Sequence, residues 1–138
     1  MARVLVVDDD ETIREVLSHK LAQMGHDVTA AADGDAGLAT ARDGRFDLVL
    51  LDRSMPRMSG LEVCRALRDD GDDVPIILLT GRVLEDDVEA GFAAGADDYL
   101  AKPVSLRDLA HRVRAHVRPG LPSRRGADQR APVKRSNT

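Results

Sequence analysis

The feature that most constrains the fold is a repeated alternation of short apolar runs with amphipathic helical patterns along residues 1–118. The predicted strands are residues 4–7, 27–31, 47–51, 74–79 and 97–100. Each has the length and the branched apolar content of a strand, and each is followed by apolar residues at helical spacing. Strands that alternate with helices through short connections form a parallel sheet covered on both faces. The sequence therefore predicts an α/β fold with five β/α units.

The predicted helices are defined by apolar residues at i, i+3 and i+4. The apolar face of the first is Ile13, Val16, Leu17, Leu21 and Met24; the third has Leu61, Cys64 and Leu67; the last has Leu106, Leu109, Val113 and Val117. Gly25 is placed to end the first helix as a C′ residue. Ser105 is predicted to cap the last helix, with Asp108 completing a capping box.

Charge divides the chain into two parts. Residues 1–118 hold 15 basic and 23 acidic side chains, whereas residues 119–138 hold five basic ones and one acidic one. We expect one folded domain at residues 1–118, followed by a flexible basic tail or the start of an interdomain linker at residues 119–138. Without a run of about 20 apolar residues or room for a signal peptide, a cytoplasmic protein without membrane contact is expected. The lone Cys64 excludes a disulfide framework.

Polar residues directly follow the predicted strands. They are Asp8 and Asp9 after the first strand, Asp52 after the third, Thr80 and Gly81 after the fourth, and Lys102 after the fifth. In an open parallel sheet, ligand chemistry collects beyond the carboxyl ends of the strands. We therefore expect these side chains to meet at one edge of the sheet.

The grouped carboxylates predict a magnesium site. Asp8 and Asp9 would repel each other and Asp52, and a hard divalent cation with oxygen ligands removes that repulsion. Asp10 is instead predicted to cap the first helix. Since a carboxylate can attack a phosphoryl group, Asp52 is the candidate nucleophile. Phosphoryl transfer needs positioning and neutralisation of charge, roles suited to Lys102, to the Thr80 hydroxyl and to the Gly81 N–H.

Four motifs together resemble the receiver domains of bacterial two-component response regulators. They are Val-Val-Asp-Asp at 6–9, Leu-Leu-Asp-Arg-Ser-Met-Pro-Arg-Met-Ser-Gly at 50–60, Leu-Leu-Thr-Gly at 78–81 and Gly-Ala-Asp-Asp-Tyr-Leu-Ala-Lys-Pro at 95–103. The resemblance covers residues 2–118. It implies a flavodoxin-like, doubly wound sheet with strand order 2-1-3-4-5.

The resemblance also implies a role for each matched residue. Asp52 would be the phosphoacceptor. Mg²⁺ (or Mn²⁺) would be held by Asp9, by Asp8 mainly through water, by Asp52 and by the carbonyl of Ser54.

Further implied roles concern the fifth strand. Lys102 would pair with Asp52 before phosphoryl transfer and with the phosphoryl group afterwards. The Lys102–Pro103 bond would be cis and would aim the lysine inward. Thr80 and Tyr99 would form a switch that alters the surface of helix 4, strand 5 and helix 5. The implied partners are a sensor histidine kinase or a phosphotransfer protein, and a second copy of the chain bound through that surface.

Some positions vary from, or add to, the family pattern. Ser54 and Arg82 occupy variable positions that tune the loss of phosphate. Asp97, Asp98, Asp108 and Arg112 resemble the dimer face of the winged-helix, DNA-binding class. Val88 stands where that class has a basic residue, which removes one expected ion pair.

Two other functions share part of this sequence pattern. A haloacid dehalogenase-type phosphatase requires a second Asp two residues after the nucleophile, and Ser54 stands there; we therefore expect no enzyme, but a phosphoacceptor that catalyses its own phosphorylation and slow dephosphorylation. The four histidines, His19, His26, His111 and His116, lack the pattern of a phosphodonor. The alternative left open is the N-terminal receiver part of a winged-helix transcriptional regulator. No helix-turn-helix pattern follows Arg118, so no sequence-specific DNA binding by this chain is expected.

Overall fold

The computed structural model describes residues 1–81 and 85–117, and for residues 85–87 only the backbone. Ten elements alternate along the chain: β1 (Arg3–Val7), α1 (Glu11–Gln23), β2 (Asp27–Ala31), α2 (Gly34–Asp43), β3 (Leu48–Asp52), α3 (Gly60–Asp69), β4 (Ile76–Thr80), α4 (Glu85–Ala94), β5 (Asp98–Ala101) and α5 (Leu106–His116). Arg82 and the predicted tail at residues 119–138 lie outside the described residues, so the predicted division of the chain stays a prediction.

The five strands form one parallel sheet in the order β2-β1-β3-β4-β5. This confirms the predicted flavodoxin-like topology. The three central strands β1, β3 and β4 are buried along almost their whole length because helices cover both faces. Among the described helices, none has the length and apolar character needed to cross a bilayer.

Alternating residues of the strands belong to two separate hydrophobic cores, one on each face of the sheet. One core contains Leu5, Val7, Val49, Leu51, Ile76 and Leu78 with residues of α2, α3 and α4, and the other contains Val4, Val6, Leu48, Leu50, Ile77 and Leu79 with residues of α1 and α5. Because successive strand residues point to opposite faces, a continuous run of Val, Leu and Ile fills both layers. Burial of these side chains stabilises the fold at roughly 1.5–3 kcal/mol each.

Helices α1, α2 and α3 begin at capping side chains, of which Asp10 was predicted. Asp10 accepts hydrogen bonds from two N–H groups of the first turn of α1, and Asp33 caps α2. Ser59 forms a complete capping box with Glu62 at the start of α3. Gly25 follows α1 with φ of 92°, the left-handed conformation that favours glycine at this position.

Two details of the predicted helix faces were wrong. Val16 is 46% exposed and Leu106 is 39% exposed, so neither belongs to the core. In α3, Val63 is buried beside Cys64 and Leu67, and the partly buried Leu61 packs against the same core. Only a narrow face of each helix packs against the sheet. Apolar residues at the border of that face therefore stay at the surface. At α5 the structure forms one half of the predicted capping box, the bond from the Asp108 N–H to Ser105 Oγ.

Candidate functional site

Sheet register brings Asp8 and Asp52 to the same level at the carboxyl edge. Val7 pairs with Leu51 in the β1–β3 ladder, and the two aspartates are the next residues of their chains. Asp52 is still part of β3, where it pairs with Leu79 of β4. Because their backbones are fixed by the sheet, both side chains are held in place: Asp8 is 0% and Asp52 4% exposed. Two carboxylates are thus buried side by side.

Asp8 is held by contacts from three directions. Its Oδ1 accepts a hydrogen bond of 2.9 Å from the N–H of Asp10, and its backbone carbonyl accepts one of 2.8 Å from Arg14 Nη1. Lys102 Nζ lies 2.9 Å from Oδ2. At this distance the ammonium and the buried carboxylate oxygen hold each other in place.

The pKa of Asp52 is raised well above the ordinary value of an aspartate. Its Oδ1 accepts a hydrogen bond of 3.3 Å from the Ser54 N–H and lies 3.2 Å from Lys102 Nζ. Burial and the neighbouring Asp8 carboxylate raise the pKa of Asp52 to about 6, although Lys102 and the Ser54 N–H oppose the shift. Keeping Asp52 ionised in the folded protein therefore costs free energy. A further cation beside the carboxylate would reduce that cost.

Lys102 follows β5 and reaches over the edge of the sheet. Its N–H donates to the Thr80 carbonyl at 2.8 Å, and the Lys102–Pro103 bond is cis, as the resemblance implies. Burial lowers the pKa of the lysine, but its contacts with Asp8 and Asp52 outweigh that effect and leave the pKa raised. The side chain stays charged between the two carboxylates.

Asp9 completes a possible metal site. One carboxylate oxygen from each of Asp8, Asp9 and Asp52 lies within 4.8 Å of the other two, and Asp9 is exposed to solvent. Hard oxygen donors, two of them buried and one open to water, suit Mg²⁺ or Mn²⁺. The raised pKa of Asp52 fits the same cation, because a bound metal ion would favour the ionised carboxylate. Ser54 lies beside Asp52 through its N–H, and the ligand role of its carbonyl stays a prediction.

The remaining predicted site residues lie on β4 and β5. Thr80, the last residue of β4, is 3% exposed and pairs with Ala101 of β5. Gly81 follows at the surface, and a Cβ added there would meet no atom of the described residues within 4 Å. Tyr99 pairs with Leu78 and belongs to the same core as that residue. By strand alternation, Thr80 and Tyr99 face the same side of the sheet.

The loop between β3 and α3 contains features that sequence reasoning missed. A Cβ on Gly60 would lie 2.2 Å from the Asp52 carbonyl oxygen, so only glycine allows α3 to begin this close to the site. Arg57 has φ of 68°, and its Nη2 lies 3.3 Å from Asp33 Oδ2. These contacts fix the loop that follows Asp52. The glycine was noted in the motif, but nothing in the sequence indicated the left-handed Arg57.

Three of the four residues that resemble a dimer face, Asp97, Asp98 and Arg112, have side-chain partners inside the chain. Asp98 binds Arg112 through one carboxylate oxygen and His116 through the other, at 3.0 Å for the histidine. Asp97 accepts from Arg68 Nη2 at 3.0 Å and from a backbone N–H of β4. These bonds link β5 to α5, and the residue before β5 to α3. The homodimer stays a prediction.

Comparison with known proteins agrees with this geometry. The family model described as response regulator receiver domain matches residues 4–114. Response regulator MprA of Mycobacterium sp. (strain KMS) is 50% identical over 116 residues, covering 84% of this chain and 50% of that protein. MprA of Mycolicibacterium vanbaalenii is 49% identical over 120 residues, covering 87% and 52%. The chain thus spans about half the length of the curated relatives it matches.

Solved structures give the same result. Chemotaxis protein CheY4 of Vibrio cholerae superposes with a TM-score of 0.81 at 37% identity, covering 85% of this chain and 99% of that one. The receiver domain of Francisella response regulator 1452 superposes with a TM-score of 0.80 at 32% identity, covering 83% and 95%. From its sequence, its sheet order and these similarities, the chain belongs to the response regulator receiver domain family of two-component signalling systems.

Proposed function

We propose that this chain receives a phosphoryl group on Asp52 from a phosphohistidine of a sensor kinase or phosphotransfer protein, with Mg²⁺ bound by Asp8, Asp9 and Asp52. The observation that carries the proposal is the position of Lys102, whose ammonium contacts Asp8 at 2.9 Å and Asp52 at 3.2 Å at the carboxyl edge of the sheet. A buried carboxylate pair that served only the fold would be a costly arrangement.

The chemistry follows from the residues at this edge. A carboxylate oxygen of Asp52 attacks phosphorus, the P–N bond of the donor breaks, and the imidazole leaves with the bonding electrons, which produces an acyl phosphate. Lys102 and the Thr80 hydroxyl would donate to the phosphoryl oxygens, and none of the described residues would obstruct a Cβ at Gly81. Bound Mg²⁺ would neutralise the charge that the carboxylates and the phosphoryl group bring together.

The chain would act on itself rather than on a separate substrate. Its own residues position the phosphoryl group, so we class it as a phosphoacceptor that catalyses its own phosphorylation and slow dephosphorylation, and not as an enzyme with turnover. Thr80 and Tyr99 would then pass the state of Asp52 to the surface formed by α4, β5 and α5, where a partner or a second copy of the chain would bind.

Intact-mass spectrometry tests the assignment of Asp52. Acetyl phosphate with Mg²⁺ should add one phosphoryl group to the wild-type chain and none to Asp52→Asn. The matched control is Asp69→Asn, an exposed carboxylate at the end of α3, which should be labelled like the wild type. Labelling of Asp52→Asn, or undiminished labelling in excess EDTA, would contradict the proposal.

A second candidate function is supported by chain length. Because the matched MprA proteins are about twice as long as the matched region, we also propose that this chain corresponds to the N-terminal receiver part of a longer, winged-helix transcriptional regulator. Immunoblotting of source cells with an antibody against this domain tests the idea. A product of about twice this length supports it, and a single product of this length contradicts it.

A further inference from the structure

Tyr99 packs its ring against helix α4. Its hydroxyl donates a hydrogen bond of 2.6 Å to the carbonyl of Val88, three residues before Gly91. The ring of Phe92 meets the tyrosine ring edge to face, with 5.1 Å between centroids and 69° between planes. Together these contacts hold a tyrosine that is only 8% exposed, although it lies close to the half-exposed Phe92.

Gly91 leaves the space that the tyrosine hydroxyl occupies. A Cβ at position 91 would lie 1.9 Å from the Tyr99 hydroxyl oxygen, 2.6 Å from its Cζ and 2.9 Å from Leu78 Cδ1. The first two distances are far inside van der Waals contact. Tyr99 can therefore keep this position only if residue 91 has no side chain.

The backbone gives no other reason for a glycine there. Gly25, Gly71 and Gly95 have positive φ, whereas Gly91 does not. It lies inside α4, where glycine is a poorer helix former than alanine. Gly91 therefore weakens its own helix, although its backbone conformation does not require glycine. The close approach of the Tyr99 side chain explains why a glycine stands at this position.

We propose that Gly91 is a positioning residue for Tyr99. Its missing side chain forms a niche, bounded by Val88 and Leu78, that selects the buried arrangement of the ring. The niche thereby sets how much of the tyrosine is presented between α4 and β5. Only its consequence for signalling rests on the proposed function: if Tyr99 reports the state of Asp52 to a partner, Gly91 sets the resting position of that reporter.

Substitution of Gly91 leaves the tyrosine two responses. The ring rotates about χ1 toward solvent, or α4 moves away from the sheet. Both break the bond between the Tyr99 hydroxyl and the Val88 carbonyl, and both open the ring to solvent. Because the hydroxyl is the far end of a rotatable side chain, the chain can keep its fold while the ring moves.

Tyrosine fluorescence measures this directly, because the chain has one tyrosine and no tryptophan. Acrylamide quenching of the full, unphosphorylated chain in EDTA should give a Stern–Volmer constant at least twofold higher in Gly91→Ala than in the wild type. The matched control is Ala93→Ser, at an exposed position of the same helix, which adds an atom outside the niche and should leave the constant unchanged.

Thermal melting in two backgrounds provides the second measurement. Gly91→Ala should lower Tm in the wild-type background, where the methyl group meets Tyr99. In the Tyr99→Ala background it should raise Tm, because alanine favours the helix and Leu78 Cδ1, the end of a rotatable side chain, can move into the space that the ring leaves. An unchanged quenching constant, together with the same Tm change in both backgrounds, would overturn the proposal. Neither measurement involves phosphate, so failure of Asp52 to be phosphorylated would refute the proposed function and leave this result intact.

Discussion

Lys102 lies closer to Asp8 than to Asp52: its Nζ is 2.9 Å from Asp8 Oδ2 and 3.2 Å from Asp52 Oδ1. The Asp8 side chain is completely buried, whereas Lys102 keeps 21% of its side chain exposed. The partly solvated ammonium of Lys102 thus lies between the buried carboxylate of Asp8 and that of Asp52, the candidate nucleophile, and neutralises part of their combined charge. Asp8 therefore has a structural role in holding Lys102 at the edge of the sheet, in addition to its predicted role as a metal ligand.

Removal of the lysine charge should destabilise the metal-free protein. Lys102→Ala leaves two buried carboxylates without their cation, and loss of one partner of a buried pair costs about 3 kcal/mol. Urea unfolding at pH 7.5 in EDTA measures the loss. The double variant Lys102→Ala/Asp52→Asn should recover most of it, because one of the two charges is gone. Equal stability of Lys102→Ala and the wild type would show that the ion pairs are solvated in solution.

Magnesium should stabilise the fold through Asp9. At a concentration about 100 times Kd, binding to the native state alone adds about 2.7 kcal/mol, which corresponds to a rise in Tm of about 10 °C for a domain of this size. Asp9→Ala should abolish most of this rise, because it removes one of the grouped carboxylates. Differential scanning calorimetry with and without Mg²⁺ measures the effect.

The neighbouring Asp10 offers a matched control for Asp9. Its side chain caps α1, and it is not one of the grouped carboxylates. Asp10→Ala should lower Tm in both conditions, since loss of an N-cap costs about 1 kcal/mol. It should nevertheless keep the full rise with Mg²⁺. If Asp9→Ala kept the rise in Tm with Mg²⁺ and Asp10→Ala lost it, Asp10 and not Asp9 would be the metal ligand.

Asp52→Asn should make the metal-free protein more stable at pH 7.5. Burial and the Asp8 carboxylate raise the pKa of Asp52 to about 6, so at this pH folding holds a carboxylate in its less favourable ionised form. An amide of the same shape removes that charge. Urea unfolding in EDTA should give a higher midpoint for the variant, and saturating Mg²⁺ should remove or reverse the difference. A lower midpoint in EDTA would mean that the ion pair with Lys102 outweighs the burial of charge.

The strand-end residues were predictable because sheet geometry does the positioning. Continuous Val, Leu and Ile runs predict central parallel strands, and the carboxyl ends of such strands meet at one edge. Asp8, Asp52 and Lys102 therefore come together as predicted, and the structure adds that Asp52 and Thr80 are themselves the last strand residues. Local capping by Asp10 and Ser59 was predictable for a similar reason, since each acts within its own helix start.

Contacts between elements were less predictable. The helical spacing of Val16 is compatible with burial, but its exposure depends on where α1 sits over β1, β2 and α5. Likewise, the sequence indicates only that Gly91 lowers the stability of a helix. Its role depends on its contact with Tyr99, which the sequence does not show. Arg57 adopts its left-handed conformation in a loop shaped by Gly60 and α2, which no local pattern encodes. Each depends on a partner distant in the chain.

His26 links the turn after α1 to the start of the first strand. Its Nδ1 accepts a hydrogen bond of 3.2 Å from the Ala2 N–H. Burial and the nearby N-terminal ammonium lower the pKa of this histidine, against the opposing effect of Asp47. The folded state therefore favours neutral His26, the form that can accept the bond.

The stability that His26 provides should be lost in mild acid. Because the pKa is lowered in the folded state, the unfolded chain takes up the proton first as the pH falls below the unfolded value of 6.5. The contribution is fully present above that pH and is lost as the pH falls through the folded pKa. At pH 7.5, His26→Ala should cost about 1 kcal/mol, the typical net value of one hydrogen bond. Urea unfolding at pH 7.5 and 5 should show the difference from wild type shrinking at pH 5, with His111→Ala, at an exposed position of α5, as the comparison for removal of a histidine. A difference that stays constant or grows at pH 5 would contradict the assignment of His26 as a neutral acceptor.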